Sequence, residues 1–182
     1  MPAAYLPRMA KNSSERRDDS RAPADSSRPG PDASKHANAA PSPSTPSKPH
    51  PLVSLADARR VIAAAERAAL SQGQPMNIAV VDAGGNLVAH IRMDGAWMGS
   101  INIAINKAWT SRAFDISTKE LAGVSQPGED FFGIHASNQG RVTIFAGGVP
   151  LKRAGNVVGA VGVSGGSGKQ DHAVAKAGAA AF

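Results

Sequence analysis

The 182-residue chain contains no cysteine. This excludes a disulfide framework, a zinc–thiolate site and a thiol nucleophile, and it leaves the redox compartment open. Aromatic residues are scarce at 4%, so the stacking platform of a single-stranded nucleic-acid binder is missing. The formal net charge is +6, yet no cluster of four or more basic residues occurs. Residues 1–51 hold eight Lys/Arg against five Asp/Glu, and residues 52–182 hold twelve against nine. Charge spread this evenly does not suggest a nucleic-acid partner. No apolar run approaches the roughly 20 residues of a bilayer span. Near the start, Arg16-Arg17 are followed by Asp18-Asp19 where a signal peptide would show its apolar stretch. A cytoplasmic location is therefore expected, with an unconventional export route as the extracellular alternative.

Composition divides the chain. Ten of the 13 prolines fall in residues 1–51, in stretches such as "APSPSTPSKPHP". Such a segment buries too little apolar surface to offset the entropy of ordering, so residues 1–51 are expected to be a disordered tail. Residues 52–182 hold 18 of the 19 glycines and read as one domain with many turns and close backbone approaches.

Within that domain Ser54 and Asp57 form a capping box ahead of Leu55, Ala58, Ile62, Ala65 and Ala69, which recur at helical spacing up to Gly73. "NIAVVD" and "LVAHIRM" predict two strands joined at "DAGGN", a hairpin signal. "GSINIAINKAWTSRAF" predicts a helix apolar on more than one face, hence largely buried, and "STKELAGV" a short helix capped by Ser117. "RVTIFAGGVPLKR" and "NVVGAVGVS" predict a second strand pair turning at "AGN", and a last helix follows over residues 168–181. Hairpin-joined strands framed by helices predict an α+β fold with helices packed on an antiparallel sheet.

"VGVSGGSGKQDHAVAKAG" has the strand–glycine–helix order of a phosphate loop. The nucleotide motifs nonetheless fail. Counting back from Gly168-Lys169, the required glycine falls on Val163 and the magnesium-binding Ser/Thr falls on Gln170. What remains is Gly165, Gly166 and Gly168 leading into a helix N-terminus, where backbone N–H groups favour an anion. The alternative is a tight strand-to-helix connection with Ser167 and Gln170 as its capping box. On the middle helix, Ile103, Lys107, Thr110 and Phe114 share one stripe. A lysine on so apolar a helix either pairs with Asp94, Asp115 or Asp171, or meets a ligand carboxylate beside the glycine loop.

Taken together, "SLADARRVIAAAERAA", "NIAVVDAGGNLVAHIRMDGA", "SINIAINKAWTSRAF", "FAGGVPL" and "GAVGVSGGSGKQDHAVAKAG" resemble, in order and spacing, the GlcG/HbpS-type haem-binding family, which includes the C-terminal domain of PduO-type proteins. The resemblance covers nearly all of residues 52–182. It implies a three-layer α/β/α sandwich and homo-oligomers from dimers up to octamers. It implies haem as cofactor, with a role in haem handling, redox sensing or haem degradation. Some members are encoded beside catabolic enzymes, so an accessory enzyme acting on a small carboxylated metabolite in the same pocket is the alternative, with Lys107 as clamp or base.

Haem needs an apolar slot, an axial ligand and cations for its propionates. His135, in the aromatic-flanked loop "FFGIHASN", is the axial and metal-ligating candidate. His90 reads as a surface histidine on a strand's polar face, and His172 as an exposed residue of the last helix. Family members also use non-histidine ligation, including threonine, which makes Thr110 the second axial candidate. Lys107, with Gly165, Gly166 and Gly168, would hold carboxylates. No catalytic residue is assigned.

Overall fold

The computed structural model describes residues 52–182; the expected disordered tail over residues 1–51 lies outside them. Four strands form one antiparallel sheet in the order β2-β1-β4-β3. They are β1 (Asn77–Val81), β2 (Leu87–Arg92), β3 (Gly148–Arg153) and β4 (Asn156–Ser164). The α-helices are α1 (Leu55–Ser71), α2 (Ser100–Phe114), α3 (Thr118–Val124) and α4 (Gly168–Ala179), and two single-turn 3-10 helices follow α3. The α+β class and the hairpin order predicted from sequence are the observed ones.

The sheet is covered on both sides, which makes three layers. Ile78, Val80, Val161 and Val163 point toward α1 and α4 and pack with Val61, Ala65 and Val174. The alternate residues Val81 and Ala160 pack with Ala108 of α2 on the other side. Central strands covered on both faces become continuous apolar runs, and all five residues of β1 are buried. The first hairpin turns on Asp82, whose carboxylate accepts the N–H groups of Gly84 and Asn86 at 2.9 Å each. At the second, Ala154 and Gly155 both have positive φ, as a two-residue turn matched to strand twist requires.

Two features differ from expectation. The segment "RVTIFAG" is not strand; residues 141–147 run irregularly and β3 begins only at Gly148. Its backbone is instead tied to α2 through Thr110, so alternation in the sequence imitates a sheet pairing that is absent. Secondly, α2 turns small and polar residues toward the sheet. Ala104, Lys107, Ala108, Thr110 and Ser111 are buried, whereas Ile101, Ile103 and Ile105 are half-exposed.

Helix α1 is anchored at its start. Asp57 accepts hydrogen bonds from Ser54 N (2.9 Å) and Oγ (2.8 Å) and pairs with Arg60 (2.5 Å) and, from the β3–β4 hairpin, Arg153 (3.1 Å). Burial raises its pKa, but the bonds from Ser54, Arg60 and Arg153 together outweigh it and hold the carboxyl far below its usual range. A depressed carboxyl pKa contributes stability above the unfolded-state value near 4 and loses it as pH falls below. Asp57→Asn is expected to cost about 2 kcal/mol at pH 7. In chemical denaturation that difference should shrink steadily from pH 4 to pH 2; a pH-independent difference would show that the carboxylate charge is not what anchors the helix.

Candidate functional site

The centre of the molecule holds a buried ion pair. Lys107 Nζ, fully shielded from solvent, donates to Asp171 Oδ2 at 2.7 Å and to the Val163 carbonyl at 2.9 Å. The ring of Phe145 closes the remaining side, its centroid 4.6 Å from Nζ. The other carboxylate oxygen of Asp171 accepts from Gly166 N at 2.9 Å. Burial pushes the Lys107 pKa down and Asp171 opposes that shift.

This arrangement answers the question posed by the glycine loop. The anion that Gly166 meets is Asp171, supplied by the first turns of α4, and among the three pairings open to Lys107 it is the one formed. The expected opening for a guest's carboxylate is filled by the protein's own side chain. Lys107 and Gly166 are brought together, but around Asp171. Gly165 lies against the backbone of Pro75 and Met76, where a Cβ would sit 2.6 Å from the Pro75 carbonyl oxygen. Gly168 begins α4, with Ser167 and Gln170 forming the predicted capping box.

Thr110 is also buried and engaged. Its Oγ1 accepts from Thr143 N at 3.0 Å and donates to the Arg141 carbonyl at 3.4 Å. It thereby fastens the irregular strand-like segment to α2. An axial role for Thr110 would need these bonds broken, because its hydroxyl lies beneath the segment it holds.

That segment forms one wall of a surface cleft of about 400 Å³. Ile103 and Asn106 of α2 form the opposite wall, Val142, Ile144 and Phe145 add apolar surface, and His135 stands at the rim on a single-turn 3-10 helix, Ile134–Ala136. His135 is exposed, so its imidazole is open to a ligand. Phe145 belongs to both features, separating the Lys107 ammonium from the cleft. Nearby, Arg141 stacks on Trp109 with its guanidinium carbon 4.5 Å from the ring centroid. Phe145, Asn106 and Val142 were not singled out from sequence. Their convergence depends on how residues 141–147 fold back over α2, and no spacing rule encodes that.

The other two histidines of the domain lie apart. His90, opposite Ala79 on the α2 side of the sheet, is half-buried with Nε2 shielded and lacking a partner among the described residues. Burial lowers its pKa. His172 is half-buried rather than exposed, in a separate cleft with Lys152 and Lys176. Among the described residues no group of three or more His, Asp or Glu side chains is placed to hold a metal ion, so iron held here would not rest on an all-protein ligand set and would need its own macrocycle. The cleft at His135 fits such a group in kind: one open imidazole, apolar walls and a neighbouring cation.

Known proteins share this architecture. Klebsiella pneumoniae protein ORFY superposes with a TM-score of 0.71 at 37% identity, the match covering 78% of this chain and 97% of that one. The PduOC structure solved as a heme complex superposes with a TM-score of 0.68, also at 37% identity, covering 71% and 94% of the two chains. In sequence, an uncharacterized 15.0 kDa protein of the dhaT-dhaS intergenic region of Citrobacter freundii is 41% identical over 124 residues, 68% of this chain and 87% of that protein. The family model described as haem degrading protein HbpS-like matches residues 53–180. By that match, which spans every helix and strand from α1 to α4, the chain belongs to the HbpS-like family.

Proposed function

We propose that this protein binds haem in the cleft between α2 and residues 140–145, with His135 as the axial ligand. The open imidazole beside apolar walls is the observation that carries the reading. Haem, when bound, supplies the redox-active iron. Ile103, Val142 and Phe145 would hold the ring, and His135 would offer an imidazole nitrogen to the metal. Arg141, stacked on Trp109 and flanked in the chain by the lining residues Gly140 and Val142, is the cation suited to a propionate. Lys107 does not serve this role directly, since its charge is already met by Asp171. The PduOC complex with heme supports binding, and the family description points to degradation among the roles of haem handling, redox sensing or degradation that bound iron could serve. Homo-oligomers accord with the half-exposed isoleucines of α2 and the exposed Trp97 and Met98 at its entry.

Titration with haemin is expected to give a shifted, saturable Soret band at a fixed stoichiometry. His135→Ala should displace that band and weaken binding by about tenfold or more, with folding unchanged because the side chain is exposed. An unsaturable, featureless rise in absorbance would end the haem reading; an unchanged band in the variant would remove His135 as the ligand.

A further inference from the structure

A second cleft, of about 410 Å³, lies between α3, β3 and α4 and shares no lining residue with the one at His135. Ser117, Glu120, Pro150, Lys152, His172 and Lys176 line it. Lys176 stands four residues after His172, on the same face of α4. Lys152 reaches in from the outermost strand, β3. Neither lysine makes an ion pair among the described residues.

The acids nearby are already engaged. Asp115 pairs with Arg112 at 2.5 Å. Glu120 Oε2 accepts from both Ser117 N (2.8 Å) and Ser117 Oγ (2.7 Å) in the capping box of α3. These bonds, with help from Lys152 and His172, lower the Glu120 pKa. Lys152 and Lys176, with Lys119 close by on α3, therefore leave the cleft net cationic. His172 Nδ1 is shielded from solvent and has no partner among the described residues.

We propose that this cleft is a binding site for a dianionic oxyanion, the phosphate of a monoester or the carboxylates of a diacid, gripped by Lys152 and Lys176 with the His172 imidazole against it. The polarity argues for an anion rather than a metal ion, because the described acids there are few and already engaged. His172 also provides a built-in reporter. Burial, Lys119 and Lys176 hold its pKa down, while Glu120 works the other way. An arriving dianion reverses the sign of the local field and favours the imidazolium. Uptake of the dianion is thus coupled to uptake of a proton by His172, and the affinity for the dianionic form, corrected for the ligand's own protonation, rises as pH falls toward the histidine's titration range.

The test follows the His172 imidazole by NMR through a pH titration at constant ionic strength, assigned with His172→Gln. Inorganic phosphate, malonate and acetate are added in separate arms. The titration midpoint should rise by about one pH unit in saturating phosphate or malonate. Lys152→Gln with Lys176→Gln should weaken that effect about tenfold or more while the spectrum stays that of the folded protein. A response to phosphate alone assigns a phosphoryl ligand, and a response to malonate alone a dicarboxylate. No change with either, an equal change with acetate, or undiminished binding in the double variant would each overturn the proposal.

Discussion

Lys107→Met is expected to destabilise the domain by about 3–5 kcal/mol, the largest loss expected from any single side chain discussed above. The cost does not come from the attraction lost. It comes from Asp171, 3% exposed, which would keep its charge in the interior with one remaining hydrogen bond, from Gly166. Lys107→Met with Asp171→Leu removes both charges and should recover a large part of the loss, since a buried ion pair replaced by apolar groups costs little. Denaturant unfolding of the two single variants and the double variant measures this. If Lys107→Met lost less than about 1 kcal/mol, the pair would not be the constraint that joins α2 to α4.

Gly162→Ala is expected to be the second severe change, costing about 3 kcal/mol and lowering the thermal midpoint by about 10 °C. A Cβ at Gly162 would sit 2.1 Å from the Ala104 carbonyl oxygen and 2.4 Å from Ala108 N. Both are backbone atoms of α2, so no rotamer change relieves the overlap and the helix must lift from the sheet. Lys107 and Thr110 ride on that helix, and the cleft proposed for haem includes its Ile103 and Asn106. Weaker haemin binding should therefore accompany the loss of stability. Gly123 in α3 makes the contrast. Nothing lies within 4 Å of an added Cβ there, and Gly123→Ala should be neutral or stabilising by up to about 1 kcal/mol. Equal behaviour of the two variants in a thermal melt would show that close approach of α2 to β4 is not what Gly162 provides.

Much of this molecule was legible in advance where the controlling interactions are local. The capping boxes at Ser54, Ser117 and Ser167 each use a side chain three residues from its partner. The Asp82 turn and the Ala154-Gly155 turn depend on residues inside the turn. Such signals survive in sequence because the groups that satisfy each other are neighbours along the chain. The stretch over residues 141–147 shows the limit. Its alternation suits a strand, yet Arg141 and Thr143 bond Thr110, 31 and 33 residues away, and the local pattern carries no trace of that.

The candidate site divides along the same line. From sequence alone came the α+β class, the hairpin order, a lysine in need of a partner and a loop histidine open to a ligand; short-range periodicity and capping chemistry suffice for these. Three outcomes belonged to the tertiary structure. It chose Asp171 among the possible partners of Lys107, filled the glycine loop's anion position from within, and gathered His172, Lys152 and Lys176 from two separated elements into one cleft. The lysine pair and the cleft depend on groups brought together across 64 and across 20 to 24 residues of chain; Gly166 and Asp171 are only five apart, but the pairing with Lys107 fixes that carboxylate in place, and desolvation makes such pairings decisive only once packing has excluded water.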